Sequence, residues 1–288
     1  MNIGFISIVA VTILLLVYSG MLFDPVLIRR QFEPVNLRDL GLLTIANYLL
    51  VPLFTLAIIW LFSFPPVLNL VLLTMAFLPC ASAVPPFVSM VGEAPERSLF
   101  VFIAMSLLNI ATTPILMALL TLPWIMGSEV MSHGGEVVAL CKYLASVFTP
   151  MAFGAALRIF APAYCRVWQG YIMRVLPWLL PLSSLLFTYS YHTEILTLGW
   201  RDFEGLLVFE TVCVAIGMVL ARRTPDNQVA TVLICGLRNA AMGLAFVLVV
   251  FPRTAAPTYM LVFIAVSFLG AVLGVGIKKR LTVAPLRL

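Results

Sequence analysis

Apolar stretches alternate along this chain with short segments that carry most of its charges. A helix rises about 1.5 Å per residue, so about 20 residues cross the roughly 30 Å hydrocarbon core of a bilayer. Breaking the chain at charges and Pro/Gly clusters predicts nine such helices, over about 3–23, 40–62, 66–91, 98–124, 137–160, 173–191, 203–221, 228–251 and 257–277. The linkers are short and none is Ser- or Gly-rich, which predicts a single membrane domain over 1–288. The first stretch has no basic residue before it and no small-x-small cleavage site after it, so it reads as a retained helix rather than a signal peptide. The expected fold class is all-α and polytopic.

Two of the nine stretches depart from the pattern. The third holds Pro79-Cys80-Ala81-Ser82-Ala83-Val84-Pro85-Pro86 near its middle. Each interior Pro removes a backbone donor and crowds the carbonyl four residues back, so this helix is expected to open. The eighth holds Cys235-Gly236-Leu237-Arg238-Asn239, where Gly loosens the backbone and Asn can cap a new half-helix. One intact span follows each break. Spans five to nine then form one repeat, over about 136–280, and spans one to four form the other, over about 1–126, without its first helix. Such repeats run in opposite orientations, as in secondary transporters, and paired interrupted segments point to a midplane binding site.

Charge adds the orientation. With the N-terminus outside, the inner linkers hold Arg29, Arg30, Arg38, Arg97, Arg158, Arg166, Arg174, Arg222 and Arg223, and the tail adds Lys278, Lys279, Arg280 and Arg287. Only Arg201 and Arg253 fall outside, and Lys142 and Arg238 lie within spans. This positive-inside bias predicts an integral protein of the plasma (inner) membrane with its N-terminus out and its C-terminus cytoplasmic. Composition agrees: 62% of the residues are hydrophobic and 10% charged, against about 45–50% and about 25% in soluble domains. That excludes a soluble enzyme, a disordered chain and a nucleic-acid partner, and makes lipid the solvent. No Walker loop, GxSxG or HExxH occurs, so an enzyme is not expected. The five Cys (80, 141, 165, 213 and 235) form no CxxC pair and read as apolar packers, with no metal or other cofactor implied.

Four stretches carry a further resemblance. These are Ser19-Gly20-Met21-Leu22-Phe23-Asp24-Pro25, Ala46-Asn47-Tyr48-Leu49-Leu50-Val51-Pro52, Leu78-Pro79-Cys80-Ala81-Ser82, and Asp226-Asn227-Gln228 followed by Gly236-Leu237-Arg238-Asn239. Together they resemble the bile acid:sodium symporter family in a nine-span form that lacks the first helix. The resemblance implies a core with two crossed, broken helices and a panel domain that moves against it. In the family, two sodium ions lie behind the crossing, held largely by a glutamate and a glutamine of the second broken helix. Here Ile234 stands at the glutamate position and Arg238 at the glutamine position. Asn47 replaces a family glutamine, Ser98 matches a family serine, and Phe102 replaces a threonine one turn on. Asn47, Ser98 and Ile234 are thus the remnant of a cation site, and sodium symport is not expected.

The residues then suggest what replaces sodium. One glutamate and two sodium ions give the family's crossing a net charge of +1, and Ile234 with Arg238 gives the same charge with no ion bound. A midplane Arg costs about 2.5–3.5 kcal/mol even on the mild insertion scale, so it needs a partner or a wet cavity. The restarted half-helices are expected to aim their N-terminal dipoles at the same place, favouring an anion. The expected function is secondary transport of an organic anion, bile-acid-like or a small carboxylate, by alternating access. Arg238, Asn239, Cys80, Ser82 and Glu210 are the expected substrate-binding residues. Glu210 reads either as a protonatable group or counter-ion of Arg238, which would make protons the coupling ion, or as a carboxylate in a wet vestibule. Cys80 leaves arsenite efflux open, since arsenite carriers of this architecture place a Cys in the first broken helix. A transport-inactive sensor or scaffold is the alternative outside transport. Lys142 is expected to snorkel outward, His133 and His192 to lie on the surface, and Asn109 and Ser106 to cross-link helices. The Arg29–Asp39 linker reads as an interfacial stretch on the inner leaflet, and Trp60, Trp124, Trp178 and Trp200 as interfacial anchors.

Overall fold

The computed structural model describes residues 3–120, 136–196, 198–224, 227–250, 255–264 and 266–267. Among them every regular element is helical, as expected. Trp124, His133, Asp226, Arg253 and the basic tail fall outside the described residues, as do the side chains of Cys141 and Lys142.

The chain opens with α1 (Ile3–Met21), the short α2 (Pro25–Arg30) and α3 (Pro34–Ile45), which runs through a π-helical turn (Ala46–Leu50) into α4 (Val51–Phe62). Pro52 explains the π turn. Pro has no amide hydrogen and crowds the carbonyl four residues back; the helix widens just before it, with Val51 N–H reaching back to Ala46 O. The helix therefore bulges instead of breaking. Among the described residues two helical segments are long and apolar enough to cross a membrane, Asn36–Phe62 and Trp200–Ala221.

The third predicted span is broken, into α5 (Pro66–Ala76) and α6 (Val84–Val91). The break covers 77–83, so Pro79 lies within it while Pro85 and Pro86 fall in the first turn of α6. There the missing amide costs nothing, because first-turn donors have no partner inside the helix. After α7 (Glu96–Leu120), α8 (Glu136–Phe160) and α9 (Pro162–Ser190) form a long pair, followed by the short α10 (His192–Leu196) and α11 (Trp200–Ala221). The eighth predicted span is also broken, into α12 (Gln228–Gly236) and α13 (Ala240–Val250), and a last helical stretch begins at 256.

The helices sort into two groups. In one, α1 lies against α8 and α9. Gly20 and Gly154 set their spacing: a Cβ on Gly20 would overlap Met151 O, and one on Gly154 would overlap Val17 O. The other group places α11 on α12, α4 and α5, with α6 and α7 against α12. Its centre is the main hydrophobic core, in which Leu68, Leu72, Met75, Phe102, Ile234 and Phe263 are wholly buried. The groups meet where α6 touches α1 and α13 touches α8. An apolar cleft of about 310 Å³ lies between α1 and α9, lined by Val11, Leu14, Leu179 and Leu182 with Ser7 and Ser183 at its polar spots; nothing in the hydrophobic pattern marks it.

Candidate functional site

The two unwound segments pair with each other. Asn239 N donates to Leu78 O at 2.8 Å, and Ala81 N donates to Leu237 O at 2.9 Å. Unwound backbone away from water must be satisfied by protein, and each break does this for the other. Asn239 also caps α13, its side-chain oxygen accepting from Met242 N at 3.3 Å.

Arg238 fills the crossing and is 2% exposed. Its Nε donates to Met75 O at 2.9 Å and its Nη2 to Ala76 O at 2.5 Å. Its Nη1 donates to Asn47 Oδ1 at 2.5 Å and to Cys235 O at 3.4 Å. Met75 and Ala76 end α5, where a helix leaves carbonyls unpaired and its dipole is negative. The guanidinium is therefore a C-terminal cap for one broken helix, supplied by the other. Asn47 is wholly buried in the π turn and gives Nδ2 to Leu43 O, so its Oδ1 is turned toward the cation.

The remaining expected residues divide. Cys80 is wholly buried and holds φ 59°, the left-handed region that favours glycine. Ser82 lies beside the α1 group, its carbonyl accepting from Ser19 Oγ at 3.2 Å. Ile234 is wholly buried in α12. Ser98 turns its hydroxyl to Pro95 O at 2.7 Å. Glu210 is 3% exposed, and neither of its oxygens has a hydrogen-bond partner. That burial removes the wet-vestibule reading. The expectation for the half-helix N-termini needs correction at α6. Pro85 and Pro86 have no amide hydrogen, Val84 N is bonded to Ala81 O and Phe87 N to Ala83 O, so the first turn has no donor for an anion.

Outside the crossing, Tyr48 Oη donates to Met105 O at 2.7 Å and stands 2.6 Å from the Asn109 amide, which makes the expected helix cross-link. Ser106 is buried. His192 is exposed, with Nδ1 2.8 Å from Tyr189 O. Trp60, Trp178 and Trp200 are exposed, as are Val26, Phe32 and Leu37 around the first basic linker. Three polar ties escaped the sequence reading. Arg97 pairs with Asp39 at 3.1 Å. Tyr259 Oη donates to Asp202 Oδ2 at 3.1 Å. Both Glu93 oxygens accept backbone N–H groups of α12, from Val229 and Ala230, at 2.9 Å each. Long-range pairs such as these leave no periodic signal. Among the described residues no group of three His, Cys, Asp or Glu side chains could hold a metal ion. No family model matches this chain, and no curated protein matches it.

Proposed function

We propose that this chain is a secondary carrier that crosses the plasma (inner) membrane nine times, with its N-terminus outside and its C-terminus cytoplasmic. It moves an organic anion, bile-acid-like or a small carboxylate, as α1, α8 and α9 shift against the helices that hold the crossing. One observation carries this reading: the Arg238 guanidinium sits in the crossing of two broken helices and donates to the carbonyl ends of the first. A fixed cation stands where the resembled family holds sodium, so the crossing has its positive charge without an ion. Broken helices at membrane depth belong to sites where a solute is handled, and a buried charge there needs a function to justify its cost.

Two polar ties across this seam join side chains of α1 to the first broken helix. Ser19 Oγ meets Ser82 O, and Tyr18 Oη lies 3.4 Å from Ser89 Oγ. Single hydrogen bonds of this kind contribute about 0.5–1.5 kcal/mol net, little enough to break and re-form in a transport cycle. The test is uptake of labelled taurocholate and pyruvate by proteoliposomes in sodium or choline buffer. Uptake of either at equal rates in both buffers is expected, with a fall in Arg238→Gln. Uptake of neither, by folded protein, would replace the carrier with a sensor or scaffold.

A further inference from the structure

The seam between α11 and the last helical stretch carries a repeated arrangement. At its Trp200 end Asp202 accepts from Gly199 N at 2.8 Å and from Tyr259 Oη at 3.1 Å. Eight residues further along both helices, Glu210 stands beside Ser267. Phe209 and Phe263 meet edge to face between the two pairs, their ring centroids 5.6 Å apart. The outer acid takes both of these bonds on Oδ2. Neither oxygen of the inner one, Glu210, accepts a hydrogen bond at 3% exposure.

Glu210 is closed in by protein. Ser267 Oγ gives its own hydrogen to Gly236 O at 3.3 Å, so it faces the carboxyl as an acceptor. A protonated carboxyl there has a hydrogen to give Ser267, and a carboxylate can accept one when the hydroxyl turns from Gly236 O, so the pair accommodates either state. Glu210 also lies close to Gly236, the last residue of α12, where an added Cβ would come 3.8 Å from Oε1. The titratable and charged groups around it are few. Cys213 follows on its own helix, Cys235 lies on α12, and Arg238 acts from the crossing. Tyr259, two turns back, is committed to Asp202. The packed faces of α4 and α5 carry no titratable side chain.

Arg238 is bonded to carbonyl and amide oxygens, and Glu210 is an acid on which its charge acts. With Glu210 ionised the pair is neutral; with Glu210 protonated the crossing carries +1.

We propose that Glu210 is a proton-binding site that switches the charge presented by Arg238, so that a proton and an organic anion bind together. The coupling rests on the carrier reading above; the proton site does not. When the anion leaves, Glu210 gives its proton to water and its carboxylate neutralises Arg238, which resets the crossing. By linkage, whatever the proton does to anion affinity the anion does to proton affinity.

The experiment is infrared spectroscopy of lipid-reconstituted protein across a pH series, followed by binding of taurocholate and pyruvate over the same series. A protonated-carboxyl C=O band that fades as pH rises and is missing in Glu210→Gln is expected. Absence of the band, or its persistence in Glu210→Gln, would overturn the site. Should Glu210→Gln not fold, Glu210→Asp serves, because it must move the band rather than leave it in place. Above the pH at which the band fades, wild-type anion affinity is expected to fall about tenfold per pH unit, while Glu210→Gln binds at a constant level. A flat wild-type profile would overturn the coupling. Binding of neither anion with the band intact would sink the carrier reading and leave the proton site standing.

Discussion

Arg238 Nη2 and the carbonyl oxygen of Ala76 lie 2.5 Å apart although 162 residues separate them in the chain. With the bond from Nε to Met75 O, the contact caps a helix that ends inside the protein. Arg238→Gln removes the charge and most of the donors; Met75 O keeps its bond from Leu78 N, but Ala76 O loses the donor that caps it, at about 1–3 kcal/mol. A clear drop in melting temperature in detergent is expected. Arg238→Lys keeps the charge but not the planar fork that reaches two carbonyls and Asn47 at once, so it should recover only part of the loss. Full recovery by Lys would reduce the role of Arg238 to charge alone.

The second prediction restores what the resemblance says is missing. Ile234→Glu together with Arg238→Gln puts an acid and an amide at the positions where the family holds sodium, beside the buried Asn47. The double variant is expected to gain a saturable rise in melting temperature with sodium that potassium does not give. A ligand confined to the folded state adds about 2.7 kcal/mol at a hundredfold excess over Kd. The wild type should show no sodium-specific rise. If it does, Arg238 is not standing in for the ion.

Much of this site was legible in the sequence because helix breaking is local chemistry. Pro79 and Gly236-Leu237-Arg238-Asn239 mark both breaks, and Arg238 stands out as a cation deep within an apolar run. The limits of the first break were not legible, because whether a Pro breaks a helix or starts one depends on where the chain resumes, and Pro85 and Pro86 start α6. The π turn at Asn47 was missed for a similar reason: Pro52 sits in an unbroken apolar pattern and disturbs only the turn before it. The direction of the Arg238 side chain was beyond sequence reasoning altogether, since Asn47, Met75 and Ala76 are far from it in the chain.

Gly20 and Gly154 supply a third prediction. A methyl group at either would run into the backbone of the facing helix, Met151 O in one case and Val17 O in the other. Backbone cannot move aside as a side-chain tip can, so Gly20→Ala and Gly154→Ala should each cost about 1–3 kcal/mol. Gly170→Ala is the control: it is helical, with nothing within 4 Å of the added carbon, and should stabilise by about 0.5–1 kcal/mol. Thermal unfolding of the three variants tests the contrast, and equal effects at all three sites would refute the tight packing of α1 on α8.

Cys80 offers a fourth. At φ 59° an L-residue is strained, by about 1–2 kcal/mol relative to its right-handed conformation. The resembled family has glycine in this place after its proline. Cys80→Ala and Cys80→Gly both lose the sulfur, but only Gly escapes the strain, so Cys80→Gly should be the more stable of the two by about 1 kcal/mol. Comparing the two variants by chemical denaturation isolates the backbone contribution from loss of the buried side chain. Alanine equal to or better than glycine would mean that the turn is not under strain at this residue.

The last prediction concerns how the second broken helix is held at its start. Glu93 accepts from Val229 N and Ala230 N at 2.9 Å with its two oxygens, so a residue outside α12 caps it. The chain brings Glu93 there through Gly92, whose φ of 89° ends α6 in a left-handed turn, while Glu93 N reaches back to Val88 O. Loss of an N-terminal cap costs about 0.5–2 kcal/mol, and a carboxylate at that end is also favoured by the helix dipole. Glu93→Gln should therefore lower stability within that range. Gly92→Ala should do so for a different immediate reason, a strained turn that displaces Glu93. If Gly92 acts through Glu93, the two effects overlap and the double variant loses less than their sum, as residues sharing one interaction do. Strict additivity in thermal unfolding would separate the turn from the cap, and α12 would then owe its position to the crossing alone.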